Sequence, residues 1–293
     1  MPKFSQNLFV MTVDVDGWSS LLSFYGIDHD ASQADAQVNI ETGVSRLLNL
    51  FGKHRIFATF FIAGEMARKH PSMVEIISKK GHEVACHGLF HWKNECLMDR
   101  ADQQHRIEKA THIIEEITGI RPVGFRAPCL RANKDTLAIL SEKGYLYDSS
   151  VIPTFIPGYY GYLNPKSKPY RLSLDLSSQR EPRMLLEIPV SVNPIVFISL
   201  SAAWMRNLGI HWVKFGIKAN FFLKNPVVIY VHPRDVLYLP RVKGVPWHLY
   251  RNVGFSTIKM LDETIRYAKT LGASFSKAAD LAFAFYEKAG IRF

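Results

Sequence analysis

Apolar segments alternate with amphipathic segments along this chain, and this alternation constrains its fold more than any other feature. Predominantly apolar runs at 8–15, 83–86 and 227–231 predict strands that are buried in the interior of a sheet. Amphipathic segments follow several of these runs, such as 40–51, where the apolar residues share one helical face. Repeated strand–helix units favour a parallel sheet that is covered by helices. The sequence therefore predicts an α/β fold.

The predicted elements account for most of the chain. Strands are expected at 8–15, 59–63, 83–86, 123–126, 145–147, 185–190 and 227–231, and helices at 40–51, 71–80, 101–118, 134–143, 256–271 and 276–284. The one long irregular segment, 153–182, is rich in Pro, Gly, Tyr and Ser. We interpret it as a loop insertion beside a site and not as a linker. Residues 1–293 are therefore predicted to form one domain.

Polar side chains lie at or just after the carboxyl ends of several predicted strands. They are Asp14 and Asp16, His87 and His91, Arg126, and His232. Catalytic groups gather at this edge in barrels built from strand–helix units. Two imidazoles and one carboxylate form a ligand set for a divalent metal that leaves a position open for water. The second carboxylate would then accept a proton from that water, so this pattern predicts metal-assisted hydrolysis. Zinc suits the set, with cobalt, nickel or manganese as alternatives.

The charge balance is basic, with a formal net charge of +10 and a sequence pI of about 9.4. Such a surplus favours anionic partners, although generic surface charge explains it equally well. No block of Lys and Arg and no nucleic-acid-binding motif is visible, so we expect no nucleic-acid partner. Three cysteines without C-x-x-C spacing argue against a disulfide framework. With no secretory signal visible before the first strand, a cytoplasmic location is expected.

The apolar segment 194–224 has two interpretations. Arg206 and Asn207 interrupt it well short of a membrane-spanning length. Its second half interleaves aromatic residues with Lys214, Lys218 and Lys224. This pattern fits an outer helix of a barrel, which base rates favour, or a basic surface in peripheral contact with lipid.

Four ordered motifs resemble those of the polysaccharide deacetylase (NodB-homology) family, carbohydrate esterase family 4. They are Thr12-Val13-Asp14-Val15-Asp16-Gly17, His87-Gly88-Leu89-Phe90-His91, Phe125-Arg126-Ala127-Pro128-Cys129 and Tyr230-Val231-His232-Pro233. The first motif separates its two acids by Val15, a form similar to the intracellular allantoinase-like and peptidoglycan-deacetylase-like branch. The resemblance implies a distorted (β/α) barrel of about seven parallel strands.

The resemblance also implies a role for each polar residue. Asp14 would be the general base, and Arg126 would orient it. His232 would be the general acid, and the backbone of Cys129 would donate to the oxyanion. The three metal ligands would be Asp16, His87 and His91. The family's aspartate that tunes the acid histidine has no counterpart at 191–194. Asp148, Glu187 and Asp235 are the alternatives that the sequence offers.

Three functions are compatible with these residues. The leading one is removal of an N-acyl group, acetyl above all, from an amino sugar in a glycan or on a lipid carrier. The second is hydrolysis of a small cyclic ureide or imide, as in allantoinase-like relatives. The third is a catalytically silent, metal-dependent carbohydrate-binding domain, which would need neither a base at Asp14 nor an acid at His232. A homo-oligomer is also compatible with the resemblance.

Overall fold

The computed structural model describes residues 7–91, 94–154, 166–172 and 185–291. Its strands are β1 (Leu8–Val15), β2 (Thr59–Ile62), β3 (Glu83–Cys86), β4 (Gly124–Phe125), β5 (Tyr147–Asp148), β6 (Tyr170–Arg171), β7 (Leu186–Glu187), β8 (Val227–Val231) and β9 (Ser274–Ser276). Its α-helices are α1 (Trp18–Phe24), α2 (Ala31–Ala36), α3 (Ile40–His54), α4 (Gly64–Lys69), α5 (Pro71–Lys79), α6 (Arg100–Thr118), α7 (Lys134–Glu142), α8 (Ala202–Leu208), α9 (Ile210–Phe222), α10 (Phe255–Thr270) and α11 (Ala278–Lys288).

The strands form one curled sheet in the order β6-β7-β5-β4-β3-β2-β1-β8, and β9 pairs with the start of β1. Every pairing between these nine strands is parallel except that of β6 with β7. The curled sheet approaches closure beyond β7, where the backbone N–H of Ser191 donates to the carbonyl oxygen of Val228 at 2.9 Å. The predicted α/β barrel is confirmed as a half-barrel with a mixed sheet.

Strand β1 carries the predicted base, Asp14, and ends directly before the predicted ligand Asp16. All eight of its residues are buried, because β2 and β8 flank it and helices cover the sheet. In the parallel register Asp14 lies beside Phe61 of β2, and Val13 lies beside Val231 of β8. The carboxyl ends of these strands therefore meet at one edge of the sheet, where the motif residues follow them.

Helix α3 packs beside this edge of the sheet. It begins where the Asn39 side chain accepts a hydrogen bond from the Thr42 backbone N–H, which satisfies one of the free amides of the first turn. Val44, Leu47 and Phe51 form its buried face against the core. A Cβ atom added at Gly43 would lie 2.4 Å from the carbonyl oxygen of Pro233, directly after β8. The close approach of α3 to the chain that follows His232 therefore requires a glycine.

The segment 194–224 folds as a turn followed by α8 and α9. Helix α9 buries Val213, Ile217 and Phe221, as predicted for an outer helix that covers the sheet. No helix in the described ranges is both long enough and apolar enough to cross a membrane.

Most of the predicted insertion at 153–182 lies outside the described residues. The part that is described, 166–172, contains β6, which extends the sheet antiparallel to β7. Strand β6 was not predicted, because the whole of 153–182 was interpreted as irregular although Tyr170, Leu172 and Leu174 alternate with polar residues.

Candidate active site

A buried ion pair joins β1 to the end of β4. Arg126 is fully buried, and its Nη1 donates to Asp14 Oδ1 at 2.6 Å and to Thr12 Oγ1 at 2.9 Å. The same guanidinium donates from Nε to the carbonyl oxygen of Ser149 at 2.9 Å and from Nη2 to Ser149 Oγ at 2.8 Å. Because these bonds fix the guanidinium plane, Arg126 holds the Asp14 carboxylate in one orientation.

Asp14 stays ionised despite its burial. Burial by itself would raise the pKa of Asp14, but the Arg126 guanidinium, together with His87 and His232, lowers it below its usual value. An ionised carboxylate that is held at one oxygen and faces two histidines is suited to accept a proton.

Asp16 is fully buried beside this pair and faces the Arg234 guanidinium and the His91 imidazole. Its Oδ1 accepts a hydrogen bond from Arg234 Nη1, and its Oδ2 lies 3.5 Å from His91 Nε2. Burial acts to raise the pKa of Asp16, yet Arg234 and His91 lower it to about 2. Within the described part of the chain, Asp16 Oδ2 has no hydrogen-bond partner.

His87 presents a free ring nitrogen to the same region. Its Nδ1 lies 2.7 Å from the carbonyl oxygen of Arg126, which can only accept, so Nδ1 carries the ring proton. His87 Nε2 is then a buried lone pair, and no described residue donates to it. Burial lowers the pKa of His87, which leaves the ring neutral at physiological pH. A neutral imidazole oriented by a backbone carbonyl is the usual form of a metal-ligating histidine.

His91 lies next to His87, with 4.8 Å between the ring centroids. Its backbone has a φ of 57°, in the left-handed region that a non-glycine residue seldom adopts. Burial lowers the pKa of His91 to about 3, so its ring is also neutral. The backbone N–H of Cys129, the predicted oxyanion donor, points toward His91 Nε2 over a long distance of 3.4 Å.

His232 follows β8 and contacts a carboxylate of its own turn. Its Nδ1 lies 3.4 Å from Asp235 Oδ2, which also accepts the His232 backbone N–H at 2.9 Å. Arg206 of α8 donates to the other oxygen, Asp235 Oδ1, at 2.9 Å. Burial acts to raise the pKa of Asp235, but Arg206 and His232 lower it well below its usual range. Of the three carboxylates that the sequence offered as partners for His232, Asp235 is the one in contact with it.

The other two candidates, Asp148 and Glu187, pair with each other on β5 and β7. Burial raises the pKa of both, which favours one shared proton between them. Asp148 accepts from Ser150 Oγ at 2.7 Å, and Ser150 Oγ accepts the Ala127 backbone N–H at 2.8 Å. This pair therefore supports the loop that carries Arg126 and Cys129.

The donor chemistry of Asp16, His87 and His91 fits a divalent metal, since a buried carboxylate oxygen and a buried imidazole lone pair both lack a donor in the described ranges. Nevertheless, no three His, Cys, Asp or Glu side chains among the described residues are grouped closely enough to hold an ion. Asp16 also shares one of its oxygens with Arg234. The predicted ligand roles stay predictions.

Two arginines of the site were not predicted from the sequence. Arg234 and Arg206 each ion-pair with a buried aspartate from a distant part of the chain. Neither arginine lies in one of the four motifs, and no local spacing signals a contact made through the tertiary fold. His82, in contrast, is structural: its Nδ1 accepts the Ala58 N–H at 3.0 Å, and burial lowers its pKa to about 4.

The curled half-barrel with acidic, imidazole and guanidinium groups at its carboxyl edge is a NodB-type (β/α) barrel. A solved structure described as a polysaccharide deacetylase from Mycobacterium smegmatis matches 96% of this chain and 91% of its own, with a TM-score of 0.71 and 23% identity. A solved allantoinase matches 100% and 94%, also with a TM-score of 0.71, at 18% identity. At these identities the likeness concerns the fold.

Two family models match consecutive parts of the chain. A model of polysaccharide deacetylases matches residues 30–147, and a model of a domain of unknown function, DUF3473, matches residues 149–271. His87, His91 and Arg126 lie in the first match, whereas Arg206, His232, Arg234 and Asp235 lie in the second. Both matched segments therefore contribute to one site and one sheet.

Two curated relatives are similar in sequence. A peptidoglycan deacetylase-like protein of Gibberella zeae is 39% identical over 112 residues, which are 37% of this chain and 32% of that protein. The peptidoglycan deacetylase of Helicobacter pylori is 24% identical over 278 residues, which are 84% of this chain and 94% of that protein. The match thus spans about a third of the first relative and nearly all of the second.

Proposed function

We propose that this protein is a metal-dependent deacetylase that removes the N-acetyl group from an amino sugar of a glycan. One observation carries the proposal: the buried Asp14–Arg126 pair lies beside Asp16, His87 and His91, with His232 in electrostatic contact with both aspartates. This combination supplies a base, a ligand set and an acid within one cluster. A binding domain would need only the ligand set.

Asp16, His87 and His91 would hold the ion. When bound, a divalent ion supplies Lewis acidity that polarises the amide carbonyl and makes a water molecule more acidic. Asp14 accepts the proton of the attacking water, because Arg126 keeps its carboxylate ionised and aimed.

His232 donates a proton to the leaving amine, without which the tetrahedral adduct would revert to the amide. Its Nδ1 contact with Asp235 fixes the ring, and Arg206 fixes Asp235 in turn. The Cys129 N–H is the proposed donor to the oxyanion, since its contact with His91 is long enough to be given up for a charged acceptor.

A glycan substrate is supported by the family and by the Helicobacter pylori relative, whose name describes a peptidoglycan deacetylase. We therefore place N-acetylated peptidoglycan and chitin-type oligosaccharides first among the substrates. A cytoplasmic location, a lipid-linked substrate and a homo-oligomer remain predictions.

Peripheral contact with an anionic membrane is supported by the outer face of α9. Phe215, Lys218 and Phe222 are three and four residues apart, so they share one helical face, and all three are exposed. Phe222 is 85% exposed, unusual for a phenylalanine, and the chain carries a net charge of +10. Exposed aromatic residues interleaved with lysine suit a lipid surface with anionic head groups.

Acetate release tests the proposed activity. Metal-free protein would be supplied with zinc or cobalt, with and without a chelator. It would be assayed for acetate release from N-acetylated oligosaccharides and peptidoglycan, and for ring opening of allantoin to allantoate, which releases no acetate. We expect release from a glycan that the chelator abolishes and that Asp14→Asn reduces by ~10²–10⁴-fold, with the surface variant Arg68→Gln as control. Activity on allantoin alone would favour the ureide amidase, and no activity on any substrate would favour the binding domain.

A further inference from the structure

We propose that Arg234 is an internal counter-ion of Asp16 that weakens the binding of a divalent cation at Asp16, His87 and His91. The inference rests on the proposed function, because it concerns the ion that the proposed reaction uses. It deepens that function by identifying a residue that sets how readily the site takes up and loses its metal.

The two oxygens of the Asp16 carboxylate have different surroundings. Arg234 Nη1 donates to Oδ1, while Oδ2 faces His91 Nε2 at 3.5 Å and has no hydrogen-bond partner among the described residues. One oxygen thus belongs to the guanidinium and the other is left for a cation. Asp16 is therefore restricted to single-oxygen ligation while Arg234 stays in place.

Packing against α3 fixes the turn that carries Arg234. It lies in the short turn after β8, between His232 and Asp235, and it is only 8% exposed. Gly43 of α3 packs directly on Pro233 of this turn, and Arg46 of the same helix donates to the carbonyl oxygen of Val236 at 2.7 Å. Helix α3 therefore holds the backbone that carries Arg234 at two points, and the Asp16 carboxylate holds the guanidinium in the interior.

The positive charge of Arg234 opposes the binding of a divalent ion. A guanidinium beside a divalent ion repels it, and a low local dielectric strengthens that repulsion. The positive charge of Arg234 already acts on His91 as well as on Asp16. At the same time Arg234 neutralises a buried carboxylate when no metal is present, so the charge of Asp16 is compensated in the metal-free protein. Removing the arginine should therefore favour the metal-bound state and disfavour the metal-free state.

The test is zinc affinity, measured by competition with a chromophoric chelator on full-length protein. Arg234→Gln removes the charge, Arg234→Lys keeps it, and Arg68→Gln removes one exposed positive charge away from the site. We expect Arg234→Gln to bind zinc at least ~10-fold more tightly than the wild type, with the other two variants close to the wild type. Asp16→Ala should lose the site altogether.

A variant that cannot be purified without metal would still be informative. Arg234→Gln can be prepared with zinc and titrated with the chelator, and the zinc-induced rise in its Tm compared with that of the wild type. A larger rise than in the wild type is expected, since the metal then replaces the missing counter-ion.

The outcomes separate the two proposals. Zinc binding that depends on Asp16 but is equal or weaker in Arg234→Gln overturns the role of Arg234 and leaves the proposed function intact. No zinc binding by the wild type or by either Arg234 variant removes the metal site from the proposed function, and the inference with it. Binding by Arg234→Gln alone supports the inference most strongly.

Discussion

Replacing Arg126 with methionine tests whether the buried pair holds Asp14 in its ionised state. Arg126 is fully buried and Asp14 is 2% exposed, so the substitution leaves a carboxylate in the interior without its counter-ion. Removing one partner of a buried ion pair costs about 3–5 kcal/mol. The hydrogen bonds of Arg126 to Thr12 and Ser149 are lost as well. We therefore expect the free energy of unfolding to fall by at least ~3 kcal/mol at neutral pH.

The pH dependence of this loss has a definite sign. In the wild type the pKa of folded Asp14 lies below its usual value, so its stabilising effect is present above pH ~4, the unfolded value, and is lost in acid. In Arg126→Met burial is no longer opposed by Arg126, and the pKa of Asp14 rises. The variant is then destabilised as pH increases above ~4. The difference between the two proteins should be largest near neutrality and smaller in acid.

The assay is chemical denaturation of metal-free protein at several pH values, followed by circular dichroism and tryptophan fluorescence. Coincident transitions are required, because a two-state free energy is meaningful only then. Arg68→Met is the matched control, since it breaks an exposed pair with Glu65 and should leave stability unchanged. A loss under ~1 kcal/mol at neutral pH, or equal losses for Arg126→Met with and without Asp14→Asn, would refute this reasoning.

Three further predictions address other parts of the site and surface. Asp235→Asn should lower kcat ~10²-fold with little change in KM, because His232 loses its orienting carboxylate; steady-state kinetics would show an unchanged kcat if Asp235 were only structural. Gly43→Ala should lower the free energy of unfolding by ~1–3 kcal/mol, since its Cβ would meet the Pro233 carbonyl at 2.4 Å; unchanged denaturation would contradict that packing. Phe222→Ser should weaken sedimentation with anionic vesicles, whereas equal sedimentation would argue against membrane contact through α9.

Long buried strands were the part of the fold that the sequence predicted best. The bounds of β1, β3 and β8 agree with the predicted ranges, because polar residues or proline flank these strands at both ends. Strands β4, β5 and β7 are two residues each, shorter than predicted, since hydrogen-bonded pairing ends before the apolar sequence does. The short helices α1, α2, α4 and α8 were missed because six or seven residues show too little periodicity.

The sequence predicted those site residues that lie in short motifs at the ends of strands. Pairs such as Asp14 with Asp16 and His87 with His91 are close in sequence and follow strands, so their meeting at one edge follows from the sheet. Contacts that the fold alone creates left no such signal. Arg234 reaches an aspartate 218 positions earlier in the chain, and Arg206 is an ordinary basic residue of α8 until its contact with Asp235 is seen.

The most direct test of the central claim is a crystal structure of the protein soaked in zinc, with anomalous scattering recorded at the zinc edge. We predict a single strong peak within ~2.0–2.2 Å of one Asp16 oxygen and one ring nitrogen each of His87 and His91. Asp14 should lie beside the peak without ligating it. A zinc peak elsewhere, or no peak at these three side chains at saturating zinc, would contradict the account.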